Sequence, residues 1–273
     1  MEVRRYNKYT TYTVLIVGTI IALFPLFWII TTSLKPRMLT FAIPPRWFVK
    51  PTLDNYRDLF QATKVTKNLV NSLIIAGWST MAAASLGSIA AFSFARLRIF
   101  HKEDLIFWIL TTRMIPPIVT LIPMFLIFRS WGLYDTHLGV ILFHTAANFP
   151  LVVWMMRSFI AEIPPEVEES AMVDGCSHLG AFWRITLPLT LPALLATGVL
   201  SFVASWNEFM GALILTGEEA KTLPVLTMSF ISAKGIMWGR MTAGATLIVV
   251  PIIVLVIFVQ KYLTRGLSFG MFK

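Results

Sequence analysis

Six stretches of this chain are each long and apolar enough to cross a bilayer as a helix, near Thr13 to Leu34, Leu69 to Ala95, Leu105 to Phe128, His137 to Ser158, Leu189 to Leu215 and Thr242 to Gln260. A span needs about 20 mostly apolar residues, because lipid offers backbone N–H and C=O groups no partner and helical hydrogen bonding satisfies them internally. Hydrophobic residues make up 56% of the chain and charged ones 14%, far more apolar than a water-soluble domain of this length. The expected fold class is therefore all-α and polytopic, with six transmembrane helices. The first stretch follows Arg4, Arg5 and Lys8 in the manner of a signal peptide. Its apolar run is too long for one and no small-residue cleavage site closes it, so it is expected to stay as a helix. An even number of spans puts both termini on one side.

The net charge of +9 does not point to nucleic acid, since the basic residues are scattered through short loops and form no patch with interleaved aromatics. Membrane lipid headgroups are the expected counterions. Cys176 is the only cysteine, and His101, His137, His144 and His178 have no ligand spacing, so neither a disulfide nor a metal site is expected within the chain. No glycine-rich phosphate loop is present, so no cofactor or nucleotide is expected here and any energy source must be a partner.

The longest polar interruption of the second half lies between Ser158 and Leu189 and reads as two short helices with a break. Pro164 and Pro165 suit a helix start, and Glu166, Glu168 and Glu169 set negative charge against the positive end of its dipole. Gly175 supplies a left-handed stop, Ser177 can cap a second helix through Phe182 and Trp183, and Pro188 separates that helix from the next span. A face at Val167, Ala171 and Met172 is small and apolar enough to dock into a groove on another protein.

The same segment carries Glu169-Ser170-Ala171, then Asp174-Gly175, then nine residues, then Ile185-x-Leu187-Pro188. This resembles the EAA loop of permeases in binding-protein-dependent ABC importers, with Ser170 in the place of an alanine. The resemblance implies that the loop is cytoplasmic and couples to an ATPase subunit through Glu169, Ser170, Ala171, Asp174, Gly175, Ile185, Leu187 and Pro188. Charge counting leaves orientation open, because Lys and Arg are also frequent between Lys35 and Lys67. The resemblance settles the expectation in favour of both termini cytoplasmic, in a bacterial inner membrane.

The likeness extends over nearly the whole chain to the carbohydrate-importer branch, and specifically to the shorter permease of maltose-type systems. It is carried by Phe24-Pro25, Ser33-Leu34-Lys35, Leu53-Asp54-Asn55-Tyr56, Asn71-Ser72-Leu73, Ala90-Ala91-Phe92-Ser93-Phe94-Ala95-Arg96, Trp206-Asn207-Glu208-Phe209 and the tail from Gly266 to Lys273. It implies a cytoplasmic N-terminus at 1–12, a permease domain at 13–260 with its coupling loop at 159–188, and a cytoplasmic tail at 261–273. It further implies a second homologous permease subunit, two cytoplasmic ATPase subunits, an extracytoplasmic solute-binding protein and a sugar substrate moved by alternating access.

Arg113 and Glu208 fall within spans, where charge is costly and faces a water-filled path, a partner or an opposite charge. They either line the pathway or pair to hold a gate, and the alternative is a structural pair or a contact with the partner permease, polar residues serving as glue between helices. Asn148, Trp206 and Asn207 offer the amide and aromatic groups that sugar sites use. As neighbours on a helix, residues 206 to 208 would face different ways. A basic first loop and Arg113 would tolerate an anionic sugar, but the sequence does not decide whether the solute is charged. Rival readings are an ABC permease for a solute such as a polyamine, a secondary transporter, which should show interrupted helices in inverted halves, and an intramembrane hydrolase built on His144 with Ser158 or Ser201.

Overall fold

The computed structural model describes residues 8–40, 42–44, 46–47, 49–233 and 235–268, with side chains through residue 260. The end of the tail from 269 to 273 lies outside the described residues, and so do the side chains of 261–268. The chain divides into two compact units, residues 1–65 with 226–249 and residues 66–225 with 250–273.

The first unit contains α1 (Lys8–Ser33), α2 (Asp54–Ala62) and, after the later part of the chain, a two-strand antiparallel hairpin and the start of the last helix. Its organising side chain is Asn55, whose amide donates to the carbonyls of Ser33 and Lys35 at 2.8 Å each. Beside it the Tyr56 and Ser33 hydroxyls are 2.8 Å apart. Two of the sequence elements quoted above, Ser33-Leu34-Lys35 and Leu53-Asp54-Asn55-Tyr56, are thus one structure that ties off the end of α1. A Cβ on Gly239 would lie 2.2 Å from the Asn55 side-chain oxygen, so that position needs glycine for close approach. Lys35, buried, sets its ammonium 4.9 Å from the Trp28 ring centre.

The second unit runs through α3 (Val65–Arg96, within this unit from residue 66), α4 (Lys102–Thr111), α5 (Pro117–Ser130), α6 (His137–Ala161), α7 (Pro165–Val173), α8 (His178–Ala181), α9 (Leu187–Leu189), α10 (Leu191–Asn207) and α11 (Met210–Leu215). The chain continues through α12 (Leu223–Met228), the hairpin strands β1 (Ile231–Ser232) and β2 (Gly235–Ile236), and α13 (Trp238–Ser268). Among the described residues four helices, α1, α3, α6 and α13, are each long and apolar enough to span. Six spans result only if two bent pairs count as one each: α4 with its 3-10 turn joined to α5, bent by 94°, and α8–α9 joined to α10, bent by 80°.

Those bends break the third and fifth expected spans, each read from the sequence as one helix, into two segments. The third breaks because Pro116 and Pro117 supply no N–H, so the helix ends in a 3-10 turn at Met114 and restarts with Pro117 in its first turn. Pro188 does not separate the loop from the fifth span; it sits inside α9, and the turn comes at Thr190 before Leu191-Pro192.

Small residues let α6, α10 and α3 pack closely, as membrane interiors require. Ala193, Ala196, Thr197, Ser201 and Ser205 are the buried face of α10. A Cβ on Gly87 of α3 would lie 2.6 Å from a Val152 methyl of α6. One apolar cluster joins Ala83, Ala91, Phe92, Val152, Met156, Ile160 and Phe182, and a second joins Ile75, Leu121, Phe128, Val140, Phe143 and Leu215.

Candidate functional site: a braced loop and a polar path

The loop at 159–188 folds as a helix–turn–helix. Pro164 caps α7 and Pro165 is its first residue. The turn that stops it is a Schellman motif: Gly175, at φ +90°, donates to Met172 and Cys176 donates to Ala171, both at 3.0 Å. The Ser177 hydroxyl then accepts from the Gly180 N–H at 3.1 Å and starts α8. A π-helical turn at Phe182–Thr186 carries α8 into α9.

What fixes this loop to the bundle is a group that sequence reading placed only as negative charge at the helix start. Glu168, whose side chain is 5% exposed, takes the Arg96 Nε at 2.5 Å on one oxygen and the Thr186 hydroxyl at 2.7 Å on the other. The same Arg96 donates from Nη2 to the carbonyls of Ile160 and Ile163 at 2.9 and 2.7 Å. One guanidinium therefore ties the end of α3 to the end of α6 and to both arms of the loop. Glu169, one residue on, faces outward and is exposed, as are Ser170, Asp174, Gly175 and Pro188; Ile185 and Leu187 are half-buried.

The docking face expected at Val167, Ala171 and Met172 is not formed as such, because Ala171 is buried. The apolar side chains the loop leaves open are Val173, Leu179 and Trp183 with Val167. Their spacing across two helices and a turn gives no periodicity that sequence reading could have followed.

The polar residues of the spans separate into two sets. Asn148 is buried and donates to the Ser205 hydroxyl at 2.8 Å, which in turn lies 2.9 Å from the Ser79 hydroxyl, so it joins α6, α10 and α3 as glue. Trp206 is also buried, stacked on Phe202 at 5.8 Å. The expectation that residues 206 to 208 share one helix is corrected: α10 ends at Asn207, and Glu208 is extended, with ψ 125°. Its carboxylate accepts from the Gly211 and Ala212 N–H groups at 2.7 and 3.0 Å and lies 3.2 Å from His144 Nε2. That places the His144 ring on a carboxylate and not on a serine, while the Ser158 hydroxyl donates to the Trp154 carbonyl of its own helix, so no hydrolase arrangement forms from this pair. Asn207 is exposed, its amide turned back to the Val203 carbonyl at 3.0 Å.

Arg113 is exposed in this chain and donates from Nε and Nη2 to one carbonyl, that of Ala147, at 3.2 and 3.0 Å. Among the described residues it has no carboxylate partner, so the pairing of Arg113 with Glu208 as a gate is not formed. It lines an open cleft of about 410 Å³ with Thr112, Ile115, Thr120, Met124 and Phe143.

Beyond the spans, Asp135 holds the loop that follows α11. It has φ 57° and its carboxylate accepts from the N–H groups of Gly217, Glu218, Glu219 and Ala220 at 2.8 to 3.1 Å. Asn71 and Ser72 secure the same loop from α3, donating to the Glu219 and Lys221 carbonyls and accepting from the Leu223 N–H.

Residues 83–269 match the family described as the inner membrane component of binding-protein-dependent transport systems. The chain belongs to that family. The match contains the whole of the braced loop and the polar residues of α6 and α10. A curated relative, the trehalose transport system permease protein SugB of Mycobacterium tuberculosis, is 35% identical over 278 residues, covering 100% of both chains. The sulfoquinovosyl glycerol transport system permease protein SmoH of Agrobacterium fabrum is 32% identical over 253 residues, 92% of this chain and 89% of that one. Among solved structures, the bacterial ABC transporter that imports the acidic polysaccharide alginate superposes with a TM-score of 0.75 at 21% identity, over 96% of this chain and 99% of that chain. That likeness establishes the shared permease fold.

Proposed function

We infer that this permease is one of two homologous membrane subunits of an ATP-driven sugar importer, coupled through the loop at 159–188 to two cytoplasmic ATPase subunits and supplied by an extracytoplasmic binding protein. The observation that carries this reading is the division of labour between adjacent glutamates: Glu168 is buried on Arg96, while Glu169, the next residue of the same short helix, stands exposed. A loop that only connected two spans would need neither a buried ion pair to hold its angle nor an open apolar surface at Val173, Leu179 and Trp183. A rigid knob that must transmit displacement needs both, since a soft connection would absorb the motion. The sugar assignment is supported by the relatives, whose names refer to trehalose and to sulfoquinovosyl glycerol.

In this mechanism ATP closes the ATPase pair, the loop moves with it, and the bend regions at 114–117 and 207–210 flank a cavity between the two permeases that opens alternately to either side. Both termini and the loop are cytoplasmic, and the segment around Gly217 to Trp238 meets the binding protein. The test is ATPase activity of the reconstituted complex with and without sugar-loaded binding protein. Stimulation should be lost in Glu169→Ala while all subunits still copurify. Undiminished stimulation would remove Glu169 from the coupling route, and the absence of any associated ATPase would remove the importer reading.

A further inference from the structure

Among the described residues Arg113 is a cation without an anion, at a place where the backbone itself is irregular. The helix that carries it ends in a 3-10 turn at Met114, Ile115 and Pro116 are extended, and the next helix leaves at 94°. Non-helical backbone at membrane depth is tolerated where it is enclosed by protein or faces a water-filled cavity, and an ionised side chain obeys the same restriction. Both conditions apply to one short segment, which therefore does not face lipid.

The guanidinium has five N–H donors and spends two of them on the single carbonyl of Ala147. That carbonyl lies one residue beyond Ala146, whose own carbonyl lacks its helical donor because Pro150 has no N–H. A neutral carbonyl orients the fork but does not balance its charge. The two hydroxyls in the cleft are turned away from recognition, Thr112 donating to the Ile109 carbonyl at 2.6 Å and Thr120 to the Pro117 carbonyl at 2.9 Å. What remains is a cleft of about 410 Å³ with an aromatic wall at Phe143 and one fixed positive charge, within the range of small-molecule sites, which combine mostly apolar walls with a few placed polar groups. The absence of a side chain at Gly211 makes room for the Phe143 ring, since a Cβ there would lie 2.1 Å from it.

We propose that Arg113 is a subsite for an anionic group, a carboxylate or a sulfonate, on the sugar that this permease transports. The inference rests on the sugar-importer reading above and deepens it. Planar, forked recognition of an oxyanion is what a guanidinium offers and an ammonium does not. The concave space around it has room for a pendant acid group on a sugar.

The experiment uses the complete complex with its binding protein in proteoliposomes and measures ATP-dependent uptake of two probe sets: neutral disaccharides, and disaccharides carrying a uronic acid or a sulfonated sugar. Wild type should import at least one acidic sugar. Arg113→Gln should lower that uptake by about 10-fold or more, as expected for loss of a charge-assisted bidentate contact, while Arg113→Lys recovers only part of it and binding of the sugar to the binding protein is unchanged. Uptake confined to neutral sugars would overturn the anion subsite and leave the importer standing. No uptake of either set would remove the sugar reading and the subsite with it. If Arg113→Gln fails to assemble with the second permease, or lowers uptake of neutral and acidic probes alike, the guanidinium serves the interface or the helix bend and the proposal falls.

Discussion

The two glutamates at 168 and 169 are adjacent in sequence and opposite in energetics. Removing one partner of a buried ion pair leaves an uncompensated charge and costs about 3–5 kcal/mol, so Glu168→Ala should lower the thermal midpoint of the detergent-purified complex and weaken its assembly. Arg96→Met combined with Glu168→Met should be less damaging than either single change, since no orphaned charge is left; a double variant as unstable as the sum would show the two groups act independently. Glu169→Ala, by contrast, should leave the midpoint unchanged. Asp135 gives a pH-dependent counterpart outside the spans. Burial alone would raise its pKa, but the N–H groups of residues 217–220 outweigh that and hold it below the usual carboxylate value. A depressed folded pKa contributes stability that is full above the unfolded value, about 3.9, and is lost as pH falls through the folded one. Protease sensitivity of the 217–220 loop should therefore be flat at neutral pH and rise only in acid below that value. Asp135→Asn should show raised sensitivity already at neutral pH and no further acid step; an unchanged acid step in the variant would assign it to another group.

At the level of elements, what the sequence disclosed is what local chemistry dictates. Pro165, Gly175 and Ser177 each do one thing at one position, and all three are found starting, stopping and restarting the helices of the loop. The apolar runs likewise locate the spans to within a few residues at Ser33, Arg96 and His137. The bends were harder to read. Hydropathy averages over a window and is indifferent to whether 30 apolar residues form one helix or two at right angles, and the expected ends of the third and fifth spans enclosed their own breaks. The break at Glu208 has no proline or glycine at its corner. It is held by a carboxylate that caps α11 and meets His144, 64 positions earlier in the chain, and pairing over that distance leaves no local pattern. The brace at Arg96 escaped notice for the same reason, although Arg96 closes one of the sequence elements that carried the family likeness. If the carboxylate is what maintains the break, Glu208→Ala should cost about 1.5–3 kcal/mol, the range for hydrogen bonds to a charged group. Glu208→Gln, which keeps one acceptor, should cost less. Equal midpoints for wild type and both variants would mean the backbone bends there without help.

For the whole molecule the count of crossings turns on those broken elements. α10 has 17 residues, which at about 1.5 Å per residue reach about 25 Å, short of the roughly 30 Å hydrocarbon thickness. The 6 residues of α11 add about 9 Å, so the fifth crossing is completed only if the two segments run on across the corner at Glu208. This gives sidedness a physical meaning that can be measured. Cys176 is the only cysteine, so its replacement by serine provides a background in which a single new thiol reports. Glu169 and Glu218, both exposed, lie before and after the crossing in question. With the loop at 159–188 cytoplasmic, Glu218→Cys should react with a membrane-impermeant maleimide in intact cells and Glu169→Cys only after permeabilisation. The reverse pattern would invert the orientation assigned to the chain. Labelling of both from outside would mean that α10 and α11 do not cross at all but return to the side they started from, and the permease would then have five crossings with its termini on opposite faces.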